Sequence, residues 1–276
     1  MSFVFQRSYR GEIKAAVFDW AGTTVDYGCC APAAVFIDVF AKRGIAVTQL
    51  QAREPMGMHK RDHIRVMAHM EPIAQQWESK HGRRPTEEDV ESMFAEFVPM
   101  QVACIADHAD IIPGTLEAVA ELRTMGLRIG STTGYNHEMM DILVPKAAEG
   151  GYAPDAIVCV TNVPAGRPAP WMALEAAKQL GVYPMEAVVK VGDTVADIGE
   201  GLNAGMWTIG VVEHGNEVGL SEAELAALSP ERRAEVKARA RQRLVDACAH
   251  YVVETIADVP GTVRAINEHL ARGERP

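Results

Sequence analysis

Six short apolar runs recur along the chain, and each has the length of a β-strand rather than of a helix. The runs are AAVFD (15–19), RIGSTT (128–133), AIVCV (156–160), AVVKVGD (187–193), TIGVV (208–212) and HYVVE (250–254). Runs with so few polar interruptions are typical of strands that are buried on both faces, as in a parallel sheet. The pattern therefore predicts a parallel sheet of six strands.

Helical patterns separate most of these runs. In GTLEAVAELRTMG, an apolar face is predicted from four residues: Leu116, Val119, Leu122 and Met125. Gly126 then provides a C-terminal stop, and WMALEAAKQLG repeats the arrangement and ends at Gly181. Strands that alternate with helices in this way predict an α/β fold with a doubly wound, Rossmann-like parallel sheet.

The stretch between the first two strands departs from this alternation. It contains no convincing strand but several helical patterns, one of which opens with Thr86 as N-cap and Asp89 three residues later. We therefore predict an inserted helical cap domain at 28–109, and an α/β core domain at 1–27 and 110–276. The alternative is a single domain that simply contains more helices.

Composition and charge restrict the possible partners. The net charge of −10 argues against nonspecific binding to nucleic acid or to an anionic membrane. No run of about 18 uncharged apolar residues occurs, and the N-terminal sequence lacks the apolar core of a signal peptide. The five cysteines lack metal-site spacing, so reduced thiols and a cytoplasmic location are expected.

Polar residues follow three of the predicted strands. Asp19 ends the first run, Thr133 ends the second, and Asp193 ends the fourth. The carboxyl ends of neighbouring parallel strands form the ligand crevice of an open sheet, so these side chains are expected to converge. One such acid could be a helix cap or a turn residue, but three together indicate a functional site.

The motifs around these residues resemble those of the haloacid dehalogenase superfamily. They are DWAGTT, STTGY, GRPAP and VGDTVAD. The resemblance implies that Asp19 is a nucleophile that attacks phosphorus and becomes a transient acyl phosphate. It also implies a Mg²⁺ ion held by Asp19, the backbone carbonyl of Ala21 and Asp193, in keeping with the preference of Mg²⁺ for hard oxygen ligands.

The same resemblance assigns roles to four further residues. Thr133 and the backbone beside Gly134 would donate hydrogen bonds to phosphoryl oxygens. Arg167 would either hold Asp193 in place or contact the phosphoryl group. Asp197 would orient other groups without binding the metal itself.

One departure from the phosphatase pattern concerns Ala21. A D-x-D loop would place a second carboxylate there, as the general acid that protonates a leaving oxygen. The segment REPMGMHKRDHIR (53–65) offers an explanation, because with the other motifs it resembles the phosphonoacetaldehyde hydrolases, a family of Mg²⁺-dependent homodimers. The resemblance implies cleavage of a small phosphonate, phosphonoacetaldehyde, to acetaldehyde and phosphate in phosphonate catabolism, with Lys60 forming a Schiff base. A C–P bond has no bridging oxygen to protonate, so an acid at position 21 is not needed.

Lys60 must be neutral in order to attack a carbonyl carbon, and burial or neighbouring cations would favour that form. His63 shares its helix face, and either transfers protons during imine formation or only makes a local hydrogen bond. Met56, Cys29 and Tyr135 are predicted to line an apolar pocket that keeps water from the imine.

Two other functions compete with C–P hydrolysis. One is a phosphomonoesterase or sugar-phosphate mutase in which Lys60 only binds substrate, but both chemistries rely on the carboxylate that Ala21 replaces. The other is a noncatalytic phosphate-binding protein, which would not need Asp19, Thr133 and Asp193 together with a candidate Schiff-base lysine.

Overall fold

The computed structural model describes residues 8–276 and contains one parallel sheet of six strands. The strands are β1 (Ala15–Phe18), β2 (Arg128–Thr133), β3 (Ala156–Cys159), β4 (Val188–Gly192), β5 (Trp207–Val211) and β6 (Tyr251–Val253). Each strand overlaps one of the six predicted runs. The prediction of a parallel α/β sheet is therefore confirmed.

The strand order is β3-β2-β1-β4-β5-β6, so the chain winds outward from β1 in one direction and then from β4 in the other. Val17 of β1 pairs with Gly130 of β2 on one side and with Lys190 of β4 on the other. The direction of winding reverses between β1 and β4. The ligand crevice of a doubly wound sheet lies at such a point, outside the carboxyl ends of the strands.

Helices cover both faces of this sheet. They are α6 (Thr115–Thr124), α7 (His137–Glu149), α8 (Trp171–Gln179), α9 (Val195–Asn203), α10 (Glu222–Ala227), α11 (Pro230–Asp246) and α12 (Val259–Ala271). Successive residues of β1 enter different apolar clusters, Ala15 and Val17 one of them and Ala16 and Phe18 another. Alternate side chains of a strand point to opposite faces, so the sheet is buried on both sides.

The predicted apolar face of α6 is partly wrong. Leu122 is fully buried, but Leu116 is 38% exposed, and the other buried positions of the helix are Thr115 and Ala118. Residues spaced by three drift around an α-helix by about 60° per step, because a turn takes 3.6 residues. Four residues at that spacing therefore cannot all face the sheet.

Five helices lie between β1 and β2: α1 (Cys30–Ala41), α2 (Gln49–Arg53), α3 (Lys60–His69), α4 (Glu71–His81) and α5 (Glu87–Ile105). As predicted, α5 follows Thr86, whose backbone N–H donates to the Asp89 carboxylate at 2.8 Å. The apolar cluster of these helices also includes Trp20 and Tyr152 of the α/β part. Their separation as a cap domain at 28–109 therefore stays a prediction.

The segment 221–246 is helical and highly charged, as its sequence indicates. It contains α10 and α11, and α11 buries only the side chains of Val236, Ala240 and Leu244. Among residues 8–276, none of the helices combines the length and the apolar character that crossing a bilayer requires.

Candidate active site

Asp19 directly follows β1, in a tight loop at the carboxyl end of the sheet. Its backbone N–H donates to the carbonyl of Val191 at 2.9 Å, which extends the pairing with β4 by one residue. Gly22 turns the chain with a φ of 85°, and a Cβ there would lie 2.3 Å from Oδ2 of Asp193. The loop needs glycine at this position because both the backbone conformation and the close approach exclude a side chain.

The structure brings Asp19, Asp193 and Asp197 together in the crevice. All three are buried, and one carboxylate oxygen of each lies within 4.8 Å of one oxygen of the other two. The Thr23 hydroxyl donates to Oδ1 of Asp193 at 2.7 Å, and the Asn216 backbone N–H donates to Oδ2 at 2.8 Å. Burial, together with the charges of Asp19 and Asp197, raises the pKa of Asp193 well above its usual value.

Arg167 binds three carboxylates with one guanidinium group. Its Nη2 lies 2.8 Å from Oδ1 of Asp19, its Nη1 lies 3.1 Å from Oδ1 of Asp197, and its Nε lies 2.9 Å from Oε2 of Glu200. Burial would lower the pKa of Arg167, but these charges raise it well above its usual value. Of the two roles expected for Arg167, the first, holding Asp193, is not seen, since the described residues show no ion pair between the two; the second, contact with a phosphoryl group, stays a prediction. Arg167 holds the candidate nucleophile instead.

Two charged residues of this network, Lys190 and Glu200, were not predicted from the sequence. Lys190 lies inside β4 with no exposed surface, and its Nζ is 2.8 Å from Oδ1 of Asp197 and 3.4 Å from Oε2 of Glu200. The Thr132 hydroxyl also donates to Oε2 of Glu200, at 3.1 Å. The lysine in AVVKVGD was the available signal, because a charge within a buried strand requires a partner.

The donor set fits a divalent cation. The buried network contains four carboxyl groups (Asp19, Asp193, Asp197 and Glu200) against two cations (Arg167 and Lys190), so with all four ionised it would carry an excess of two negative charges, which a divalent cation would balance. Beside Asp19, the Ala21 carbonyl accepts no hydrogen bond from the described part of the chain. All candidate ligands are oxygens, as a hard cation such as Mg²⁺ prefers.

Asp197 is bound differently from the other two aspartates. Its Oδ1 contacts Arg167 and Lys190, and its Oδ2 accepts a hydrogen bond of 2.6 Å from the Thr194 hydroxyl. Both of its oxygens are therefore occupied by protein groups. That Asp197 orients its neighbours rather than binding metal stays a prediction.

Lys60 is the first residue of α3 and is only 4% exposed. Its Nζ lies 3.9 Å from Sδ of Met56, 5.5 Å from the ring centre of Phe36 and 5.0 Å from that of Tyr135. Within residues 8–276, no carboxylate forms an ion pair with it. Burial, reinforced by the charge of Arg167, lowers the pKa of Lys60 from 10.5 to about 8.

A small cavity of about 20 Å³ lies between Lys60 and the acid cluster. Nine of the predicted site residues line it: Asp19, Ala21, Cys29, Met56, Lys60, Thr133, Gly134, Tyr135 and Arg167. Gly57 and Thr194 complete the lining and were not predicted. Motifs separated by more than one hundred residues therefore converge on one cavity.

The segment that carries Lys60 closes directly over the strand ends. A Cβ at Gly57 would lie 2.4 Å from Oγ1 of Thr194, and a Cβ at Gly134 would lie 2.6 Å from the carbonyl oxygen of Met58. Backbone thus meets backbone across the top of the cavity. The structure shows the closed arrangement, in which bulk water has little access to Lys60.

His63 lies behind Lys60 rather than in the cavity lining. Its ring stacks on Phe36 with 3.7 Å between the ring centres, and its Nε2 is 2.8 Å from the Ala52 carbonyl, to which it donates. Burial, followed by the charge of Lys60, lowers the pKa of His63 well below its usual value, so the ring is neutral. Its buried Nδ1 is left without a partner in the described chain.

Thr133 and Cys29 contribute a hydroxyl and a thiol to the cavity lining. The Thr133 hydroxyl, at the end of β2, accepts a hydrogen bond of 3.1 Å from the Tyr135 backbone N–H. Cys29 has a left-handed backbone with a φ of 50°. Burial, with the charges of Asp26 and Asp193, raises the pKa of the Cys29 thiol well above its usual value, so it remains protonated.

Comparison with known proteins agrees with this geometry. The chain is 54% identical over 276 residues to a phosphonoacetaldehyde hydrolase-like protein of Syntrophobacter fumaroxidans, covering 99% of both chains. It is 49% identical over 274 residues to a phosphonoacetaldehyde hydrolase of Nitratidesulfovibrio vulgaris, covering 99% of this chain and 98% of the relative.

A solved structure extends the similarity to the fold. The crystal structure of a phosphonoacetaldehyde hydrolase like protein from Oleispira antarctica matches with a TM-score of 0.96 and 41% identity, and each chain is covered completely. Residues 13–205 also match the haloacid dehalogenase-like hydrolase family. The chain therefore belongs to the haloacid dehalogenase-like hydrolases and, within them, to the phosphonoacetaldehyde hydrolase family.

Proposed function

We propose that this protein hydrolyses the C–P bond of phosphonoacetaldehyde to give acetaldehyde and phosphate. The observation that carries the proposal is a buried lysine that pairs with no carboxylate of the described chain and shares a cavity with Asp19 and Ala21. Relatives that share about half of the sequence carry the name of this activity. A lysine that is partly neutral at physiological pH suits an aldehyde substrate.

In the first step, the neutral amine of Lys60 attacks the aldehyde carbon, and loss of one water gives an imine. With a pKa of about 8, roughly one lysine in ten is neutral at pH 7, against about one in three thousand at an unperturbed pKa of 10.5. The aromatic rings of Phe36 and Tyr135 exclude water around Nζ. The cavity thus favours both formation and survival of the imine.

In the second step, a carboxylate oxygen of Asp19 attacks phosphorus as the C–P bond breaks. The electron pair of that bond moves into the protonated imine, so the leaving group is a neutral enamine. No oxygen departs, and Ala21 leaves room where a general acid would otherwise stand. Burial raises the pKa of Asp19, and Arg167 opposes that rise while it orients the carboxylate through its 2.8 Å contact.

Two hydrolytic steps return the protein to its starting state. The enamine gains a proton at carbon, and water then releases acetaldehyde and free Lys60. A second water hydrolyses the acyl phosphate on Asp19 and releases phosphate. Because imine formation released one water, the net reaction consumes one water for each substrate molecule.

Asp19, the Ala21 carbonyl and Asp193 would hold Mg²⁺, which neutralises phosphoryl charge when it is bound. Thr133 and the backbone beside Gly134 line the cavity on the side of β2, where they would donate to phosphoryl oxygens. Asp197 would keep Arg167 and Lys190 in place around the nucleophile.

Borohydride trapping tests the proposal. The protein would be incubated with phosphonoacetaldehyde and Mg²⁺, reduced with borohydride and digested for peptide mass spectrometry. We expect a reduced two-carbon adduct on Lys60 and loss of activity, whereas Lys60→Arg should form no adduct because a guanidinium does not condense with aldehydes at neutral pH.

Two outcomes would overturn parts of this proposal. Phosphate release without a trapped lysine would remove the Schiff base from the mechanism. Turnover of p-nitrophenyl phosphate, with neither adduct nor phosphate from phosphonoacetaldehyde, would favour a phosphomonoesterase instead.

A further inference from the structure

The residues that follow β5, 212–220, form a loop that we call the β5 loop. It contacts the loop of the candidate nucleophile in two places. The ring of His214 donates from Nδ1 to the Gly22 carbonyl at 2.8 Å, while its Nε2 accepts from the Ile256 backbone N–H at 3.1 Å. The His214 carbonyl accepts from the Gly28 backbone N–H at 2.8 Å. These bonds fix the β5 loop against residues 22–28.

The next two residues of the β5 loop hold a candidate metal ligand. The backbone N–H of Asn216 donates to Oδ2 of Asp193 at 2.8 Å. A Cβ at Gly215 would lie 2.6 Å from Cβ of Asp193, so this part of the loop lies directly against the aspartate. A shift of the backbone at 215–216 would therefore move or release the Asp193 carboxylate.

The side chain of Asn216 points the other way and binds Arg53 twice. Its Oδ1 accepts from Nη1 of Arg53 at 3.1 Å, and its Nδ2 donates to the Arg53 carbonyl at 3.2 Å. Nη1 of Arg53 also donates to the carbonyls of Gly28 and Cys29, at 2.8 and 3.2 Å. Asn216 is 3% exposed and Arg53 is half-buried, so this hydrogen-bonded clasp is partly shielded from solvent.

Arg53 lies at the start of the segment that closes over the cavity. Its carbonyl also accepts from the Met56 backbone N–H at 3.1 Å, and this turn leads through Gly57 to Lys60. On the opposite side, a Cβ at Gly219 would lie 2.8 Å from Nε of Arg53, so the guanidinium packs on the β5 loop. One asparagine thus holds both the turn toward Lys60 and the carboxylate of Asp193.

We infer that Arg53 and Asn216 are positioning residues that couple closure of segment 53–60 to the orientation of Asp193. Opening of this segment would break the side-chain bonds of Asn216, loosen the β5 loop at 215–216 and weaken the hold on Asp193. By linkage, a cation bound at Asp193 would favour closure by the same factor. The coupling matters for catalysis only if the proposed function holds, but the coupling itself needs no substrate.

The test therefore uses Mn²⁺ as the probe and no phosphonate. Mn²⁺ affinity would be measured by electron paramagnetic resonance, and closure by the rate at which N-ethylmaleimide labels Cys29, read by tandem mass spectrometry. In the unaltered protein, we expect the cation to slow labelling of this buried thiol. In Arg53→Met, we expect about tenfold weaker Mn²⁺ binding and a labelling rate that no longer responds to the cation.

Three further variants distinguish loss of the clasp between Arg53 and Asn216 from a general loss of structure. Arg53→Lys should restore part of the Mn²⁺ affinity, because its ammonium can still reach the Gly28 carbonyl. Asn216→Ala keeps the backbone donor to Asp193 and should reproduce Arg53→Met, with no further loss in the double variant. Arg239→Met removes an arginine from the same cleft, where the described chain shows no bond to it, and should change nothing.

Unchanged Mn²⁺ affinity in both Arg53→Met and Asn216→Ala, with labelling of Cys29 still slowed by the cation, would overturn the inference. Additive losses in the double variant would likewise show that the two residues act separately. Neither result depends on C–P hydrolysis, so a failed clasp and a failed reaction assignment remain distinguishable.

Discussion

The two sides of the cavity bury charge in opposite ways. On the side of the strand ends, Arg167 and Lys190 are surrounded by carboxylates at distances of 2.8–3.4 Å. On the opposite side, Lys60 is equally buried but faces a thioether and two aromatic rings. One side pairs its cations with carboxylates, whereas on the other side no carboxylate of residues 8–276 pairs with Lys60.

This difference decides which buried cations keep their charge at physiological pH and which can lose it. A buried cation among carboxylates stays protonated at any physiological pH, and it holds its partners in one geometry. A buried amine without a partner loses its proton easily, as the pKa of about 8 for Lys60 shows. The strand ends can therefore stabilise a phosphoryl group, while the opposite side supplies a nucleophilic amine.

The largest expected effect comes from removing the nucleophile on the paired side. Asp19→Asn should lower phosphate release by about 10⁴-fold, because an amide cannot form the acyl phosphate. Borohydride should still trap the adduct on Lys60, since imine formation belongs to the other side of the cavity. A variant that loses both the turnover and the adduct would contradict this division of roles.

Arg167→Lys should lower kcat/KM by about 100-fold and destabilise the fold by about 3 kcal/mol, because an ammonium cannot serve three carboxylates at once. Steady-state kinetics and chemical denaturation would measure the two effects. Arg123→Lys is a matched control in an exposed ion pair with Asp155, and it should alter neither. Near-normal activity in Arg167→Lys would mean that the paired network is not needed for catalysis.

The pH dependence tests the unpaired side. Since the neutral amine reacts and its pKa is about 8, kcat/KM should rise with pH through 8 and then level off. At pH 6.5 we expect a rate about 30-fold below the plateau, because only a few per cent of Lys60 is then neutral. A profile that is flat from pH 6.5 to 9 would show that deprotonation of Lys60 does not limit the reaction.

The effect of Lys60 on stability has the opposite sign to that of most buried side chains. Lys60→Met should abolish the adduct yet stabilise the fold at pH 7 by on the order of 3 kcal/mol, because the folded pKa of about 8 lies below the unfolded value of 10.5. In that window the unfolded chain binds the proton more readily, so the stability of the unaltered protein rises with pH from about 8 to 10.5. Denaturation should show a smaller difference in unfolding free energy between Lys60→Met and the unaltered protein at pH 10 than at pH 7. An equal difference at both pH values would refute the explanation.

Most of the fold could be predicted because the strands are buried on both faces. All six apolar runs became strands, and the reversal between β1 and β4 brought Asp19, Thr133 and Asp193 to one edge of the sheet. The candidate site was predicted as a set of motifs, and nine of its residues do line one cavity. Their chemical roles rest on the resemblance and on the experiments proposed above.

Other features depend on contacts that no local pattern encodes. Glu200 is a carboxylate on α9 whose partners lie on β2, β4 and the segment of Arg167, so the sequence shows only one more charged helical residue. Asn216 is of a residue type that is common in loops, and only the structure shows that it holds both Arg53 and Asp193. The prediction that Leu116 faces the sheet was wrong for a simpler reason, because residues spaced by three do not stay on one helix face.

The contact between Gly134 and the Met58 carbonyl has a consequence for substrate range. A single methyl group at position 134 would press against backbone rather than against a flexible side chain, so the roof of the cavity cannot rise without moving the whole segment that carries Lys60. Substitutions in the backbone contact between residues 58 and 134 are therefore not expected to enlarge the cavity for bulkier keto-phosphonates. The side chains of Met56 and Tyr135 also line the cavity, and replacing them by smaller ones is the way to enlarge it.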